Sequence, residues 1–188
     1  MSEETLQFIR DVEDGYIGKV RRALKRNPEL VHARNDYGAT PLHRAAVFAQ
    51  IEVVRLLLAF GANANATDHR RSTPLHFACH DFYDSIPVMK LLLDAGAQMD
   101  ARDNYWCSAL MTAANYSNLP AVSFLLAQGA RIDFRDRHGR TALDIAIWTH
   151  DSIPRTDKYF EQLATQEVVI FLLRQATNLN HSIAVAPT

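Results

Sequence analysis

Histidines, two cysteines and a series of arginines set beside aromatic residues are the groups in this chain best suited to chemistry. His76, Cys79 and His80 are three and four residues apart, a spacing that puts them on one face of a helix. Two imidazoles and a thiolate so placed could begin a zinc site. A structural reading fits better, because Thr73-Pro74-Leu75-His76 repeats the residues Thr40-Pro41-Leu42-His43. A histidine that recurs with its neighbours belongs to a repeated fold element, and Cys79 stands where the other copy has the small residue Ala46. Cys107 is the other candidate nucleophile, yet its flanks offer neither a general base nor an oxyanion-hole pattern. The sequence contains no Gly-rich phosphate loop, Gly-x-Ser-x-Gly or His-Glu-x-x-His, so no enzyme, cofactor or metal is expected.

The elements that would position these groups recur at a fixed period. Thr40-Pro41-Leu42-His43-Arg44-Ala45-Ala46 is echoed from Thr73, more weakly from Ser108 and again from Thr141, at intervals of 33, 35 and 33 residues. A second marker runs in the same register. Leu56-Leu57-Leu58-Ala59-Phe60-Gly61-Ala62 returns around Gly96 and Gly129. In each unit a hydroxyl residue caps a helix, with proline at the first helical position of the two strongest copies. Paired small residues such as Ala45-Ala46 and Ala113-Ala114 let neighbouring helices approach. A second helix carries a broad apolar stripe, including Val53, Val54, Leu56 and Leu57, and glycine follows where a helix end needs a left-handed backbone. A polar turn leads into the next unit.

The Thr-Pro-Leu-His-x-Ala signature at this period resembles the ankyrin repeat. The resemblance covers about residues 3 to 176 and implies an all-α solenoid: stacked helix-turn-helix units joined by short β-hairpin-like turns. Five repeats are expected, at about 3–34, 35–67, 68–102, 103–135 and 136–176, forming one domain over 1–176. The first is degenerate: it lacks the signature but keeps an apolar helix (Leu6, Phe8, Ile9, Val12), then Gly15 and a second helix (Ile17, Val20, Leu24). Its basic run, Lys19, Arg21, Arg22, Lys25 and Arg26, reads as the solvated face of an end repeat. Two extra residues lie near Tyr83–Pro87, and about fourteen between Trp148 and Val168. The longer insertion, with Tyr159, Phe160 and Leu163, is either a binding element or a cover for the end of the stack. Residues 177–188 form a tail without clear periodicity, a candidate for partial disorder.

In ankyrin arrays partners usually contact the turn tips and the exposed side of each first helix. By register the resemblance carries this role to Tyr37, His69, Arg70, Tyr105, Arg137 and His138 at the tips. On the helices it falls to Phe48, His80, Asn115, Tyr116 and Trp148. Arg71 and Trp106 occupy the turn position that is glycine at Gly38 and Gly139. Bulky side chains there imply either a shifted turn or a use for the side chain. This set is rich in Tyr, Trp, Arg and His, the residue types of interface hot spots. The expected function is therefore a protein-protein interaction module or adaptor, binding a protein partner through a concave groove and turn tips. Two alternatives are nucleic-acid binding by Arg70-Arg71 and Arg135–Arg140, and a self-associating structural module. A formal net charge of -1, with aspartates beside these arginines, weighs against nucleic acid. A monomer is expected.

The N-terminus lacks the basic start and apolar stretch of a secretory signal, and no apolar run is long enough to span a bilayer. Cys79 and Cys107, the chain's only two cysteines, occupy non-equivalent places in the repeat, which argues against a disulfide framework. A cytoplasmic or otherwise intracellular location is expected.

Overall fold

The computed structural model describes residues 2–80, 85–152 and 160–184, with side chains omitted for 160–164 and 179–184. Asp81, Tyr83 and Asp84 of the short insertion, and much of the long one, including Tyr159 and the side chains of Phe160 and Leu163, lie outside the described residues. Among the described residues ten α-helices follow one another in pairs: α1 (Glu3–Glu13) and α2 (Ile17–Arg26), α3 (Pro41–Val47) and α4 (Ile51–Ala59), α5 (Pro74–Ala78) and α6 (Ile86–Asp94). The remaining pairs are α7 (Ala109–Asn115) with α8 (Leu119–Ala127) and α9 (Ala142–Ser152) with α10 (Phe160–Ala184). A 3-10 turn at Pro28–His32 ends the first pair. The odd-numbered helices pack one on the next in one layer, the even-numbered helices in a second. No strand occurs among the described residues, so the linking turns are hairpin-like in outline only.

Tertiary packing has to hold these helices, because α3, α5 and α7 are only 7, 5 and 7 residues long. Helices that short do not persist alone in water. Leu42, Leu75 and Leu110 occupy one register position and are almost wholly buried, as are Leu57, Leu92 and Leu125 on the second layer. Burying each such side chain contributes roughly 1.5–3 kcal/mol. Ala45, Ala46, Ala78, Cys79, Ala113 and Ala114 are also buried, which is where small side chains let the odd-numbered helices come together. In the first repeat Val12, Val20 and Leu24 are fully buried, while Lys19, Arg21, Arg22, Lys25 and Arg26 are all exposed. Arg26 meets Glu4 at 3.0 Å and Lys19 meets Asp11 at 3.5 Å.

Buried histidines tie consecutive repeats together. The ring Nδ1 of His43 accepts from the Thr40 amide at 3.1 Å, so Nε2 carries the proton and donates to the Ser72 carbonyl at 3.0 Å in the next repeat. His76 repeats this with the Thr73 amide at 3.2 Å and the Cys107 carbonyl at 3.1 Å. Burial holds His43 down at about 4 and lowers His76 as well, because a charged imidazole would be desolvated there. In the fourth repeat Ser108 Oγ accepts from the Met111 amide. In the fifth, Asp144 takes the histidine's place and accepts from the Thr141 amide and hydroxyl, both at 2.8 Å. The last helix, α10, continues past residue 176 to Ala184. Its buried Gln166 donates to the carbonyls of Ala114 at 3.2 Å and Ala146 at 2.8 Å, anchoring the helix to α7 of the preceding repeat and to α9 of its own.

Candidate functional site

Each turn tip is built by one acidic or amide side chain. Asn35 Oδ1 accepts from the amides of Tyr37 and Ala39, both at 3.0 Å. Asp68 does the same for Arg70 and Ser72, Asp103 for Tyr105 and Cys107, and Asp136 for His138 and Arg140, at 2.8–2.9 Å. These side chains satisfy backbone donors that the turn leaves without a ladder partner. Burial alone would raise the Asp136 carboxyl; hydrogen bonds from the Arg140 amide and side chain and from the His138 amide outweigh it and hold the group below the ordinary carboxylate range. Successive tips are also joined directly. The His69 amide donates to the Tyr37 carbonyl, Asn104 to Arg70 and Arg137 to Tyr105, at 3.0, 2.8 and 3.0 Å.

The fourth turn residue is left-handed in all four tips: φ is +78° at Gly38, +60° at Arg71, +65° at Trp106 and +78° at Gly139. Of the two outcomes open from sequence, the turn geometry does not shift. Arg71 and Trp106 instead adopt a conformation that costs a non-glycine residue on the order of 1–2 kcal/mol.

The tips and the odd-numbered helices enclose a groove of about 560 Å³. Seven of the thirteen residues singled out from sequence line it: Tyr37, Arg70, His80, Tyr105, Asn115, Tyr116 and His138. Its floor carries a row of rings. The Phe77 ring stacks on His80 with centroids 5.6 Å apart, and His80 stacks on Tyr116 at 4.5 Å. Tyr37, Tyr105 and Tyr116 are 77%, 50% and 44% exposed, so large apolar surface faces solvent around this floor. The other six residues sit elsewhere. Phe48 is half-buried beneath the Arg44 guanidinium, 5.2 Å from its ring. Trp148 is exposed outside the groove lining, with Arg140 at 5.3 Å from its ring. His69, Arg71 and Arg137 are exposed on the tips, and Trp106 lines a different depression.

Sequence reasoning missed Phe77 and Arg44, which also line the groove. Phe77 follows the motif histidine directly, and its exposed register against Arg44 in the preceding repeat was the available signal. Arg140, the last arginine of the Arg135–Arg140 stretch considered for nucleic acid, is already committed: its Nη2 lies 2.7 Å from Asp136 and its Nε donates to the same carboxylate at 2.9 Å.

The groups considered for catalysis or metal binding are engaged or unreactive. Both ring nitrogens of His76 are occupied by hydrogen bonds. Burial pushes the Cys79 thiol far up. Burial, then the charges of Asp103 and Asp136, raise Cys107 to about 11, so it is almost entirely thiol at neutral pH. Among the described residues, no group of three or more His, Cys, Asp or Glu side chains converges as a metal site would require.

The sequence profile of ankyrin repeats matches residues 10–103 and 82–182 of the chain. This protein belongs to the ankyrin-repeat family. It is similar to protein phosphatase 1 regulatory subunit 27 of Mus musculus, 33% identical over 99 residues, which covers 53% of this chain and 61% of that protein. Human ankyrin repeat and SOCS box protein 16 is 41% identical over 86 residues, covering 46% of this chain and 18% of that protein. The serine/threonine-protein kinase VIK of Arabidopsis thaliana is 50% identical over 56 residues, covering 30% of this chain and 13% of the kinase. The chain thus spans at most about three fifths of these relatives. Family membership and the regulatory-subunit relative support a protein-interaction module. No described helix is long and apolar enough to cross a membrane.

Proposed function

We propose that the protein acts as an adaptor, binding a segment of a partner protein in the groove that runs across repeats two to five. The observation that carries this reading is the row of rings Phe77, His80 and Tyr116 flanked by the exposed Tyr37 and Tyr105. Rigid aromatic surface offers contact area at low entropic cost and is where binding energy concentrates in protein interfaces. Thirteen residues make up the proposed contact set: the seven in the groove provide the anchors, and Phe48, His69, Arg71, Trp106, Arg137 and Trp148 stand outside its lining. The elevated Cys107 thiol and the engaged histidines support a role without catalysis. The kinase resemblance spans too little of that protein to bring its activity here. Free cysteines at 79 and 107 support a reducing, intracellular setting, and we read the chain as a monomer.

The test is affinity capture with wild type and a Tyr37→Ala, Tyr105→Ala, Tyr116→Ala variant, followed by titration of the captured protein. Truncating three anchors should weaken binding by a few kcal/mol in total, about a hundredfold or more. Equal affinity for both, with unchanged unfolding midpoints, would sink the groove assignment.

A further inference from the structure

The tips of repeats four and five form a second depression of about 540 Å³ that shares only Asp136 with the groove. Here the chain gathers cations over aromatic rings. The Arg102 guanidinium sits 5.4 Å from the Trp106 ring and 5.1 Å from the Phe134 ring, and the Arg131 guanidinium lies 4.4 Å from the same Phe134 ring. Arg135 and Arg137 complete the lining. Four arginines therefore face two aspartates; Asp133 pairs with Arg131 at 2.6 Å and Asp136 is taken up by Arg140. Among the described residues neither Arg102 nor Arg137 has a carboxylate partner, and each rests against a ring instead.

We propose that this depression is a second binding surface, and that its occupant is a carboxylate-rich segment of a partner protein. A guanidinium lying on a ring uses its face for the contact and keeps its N–H edges free, held in a plane that matches a carboxylate. Trp106 supplies one of those rings from a left-handed backbone, at a turn position where two of the other three tips carry glycine. That costly conformation places the indole against Arg102, which is a use for a side chain the turn itself does not need. The same stacking disfavours a single-stranded nucleic acid. Bases would need bare ring faces, and Phe134 is already contacted by two guanidiniums.

Fluorescence anisotropy with a fluorescein-labelled peptide of alternating glutamate and glycine tests this on the full chain. Comparison probes are the matching glutamine-glycine peptide and an oligothymidylate of equal length. The glutamate peptide alone should bind, and Arg102→Gln should weaken it about tenfold, as loss of a charge-assisted pair does. Trp106→Gly should weaken it too while leaving the fold intact, since glycine already occupies this turn position at Gly38 and Gly139. Tyr116→Ala, in the groove, should change nothing. Failure of the glutamate peptide to bind, equal binding of the glutamine peptide, indifference to Arg102→Gln, or tighter binding of oligothymidylate would each overturn the proposal.

Discussion

Repeats two and three differ from repeats four and five in how they hold on to their neighbours. In the first pair a neutral, buried histidine bonds its own cap residue on one side and the next repeat on the other. In the second pair the cap is closed by Ser108 or by Thr141 with Asp144, and the link across repeats comes from Gln166 of the last helix. The exposed Trp106, Tyr105, Tyr116 and Trp148 all lie in this second pair. The half of the array that gives up the histidine clamp is thus also the half that presents most of the large aromatic surface. Cohesion and recognition are spread unevenly along one repeated unit.

The largest test of this contrast is removal of a clamp. His76→Ala should destabilise the protein by about 3 kcal/mol, because it leaves a cavity and orphans the Thr73 amide and the Cys107 carbonyl. Urea unfolding would show it, and Asp144→Ala, at an exposed cap, should cost only about 1 kcal/mol. Equal losses would dissolve the distinction between the halves.

Acid should act on the same clamps. His43 titrates at about 4 in the folded chain and near 6.5 when unfolded, so the unfolded state binds more protons between these values. Its contribution is complete above pH 6.5 and is lost as pH falls toward 4. At pH 5 the loss from His43 alone should be about 2 kcal/mol, with a further loss in the same direction from His76. Unfolding midpoints at pH 7.5 and pH 5 check this, and a His43→Gln variant should show a visibly shallower pH dependence. Hydrogen exchange at pH 5 should rise first in α3 and α5 rather than in α9.

A smaller effect separates the two glycine tips. A Cβ at Gly38 would come within 2.4 Å of the His69 ring and 2.9 Å of its amide nitrogen, whereas at Gly139 it would meet nothing within 4 Å. Gly139→Ala should cost about 1 kcal/mol, the left-handed penalty alone. Gly38→Ala should cost about 2 kcal/mol or more, since the neighbouring tip must also move. Thermal melting distinguishes them, and the reverse order would show that the tips are not coupled through His69.

Most of the fold was legible because its signals are local. Thr40-Pro41 and Thr73-Pro74 start helices where expected, and Gly61, Gly96 and Gly129 take the positive φ that ends α4, α6 and α8. The extent of α10 was not legible. Thr177-Asn178 carries no repeat marker, yet the helix runs on through it, since helix propagation needs no motif once a packed nucleus exists. For the site, register singled out Tyr37, Tyr105 and Tyr116, which line the groove. It could not foresee that Arg140 would fold back on Asp136, nor that Arg102 would reach both the Trp106 and Phe134 rings. Those outcomes depend on which side chains a neighbouring repeat brings within reach, and a pattern within one repeat does not contain that.

The bonds that join successive tips run from backbone amide to backbone carbonyl, and each tip is framed by a carboxylate or amide at its first residue. The two positions between frame and left-handed residue, occupied here by Asp36-Tyr37, His69-Arg70, Asn104-Tyr105 and Arg137-His138, add side chains to that joint in two places: Asn104 Nδ2 donates to the His69 carbonyl at 3.1 Å, and the His69 ring lies close over Gly38. The remaining positions behave as interchangeable letters on a ruled line. A lineage can rewrite what such a molecule recognises one tip at a time, and an engineer can graft a foreign dipeptide there, without disturbing the ruling.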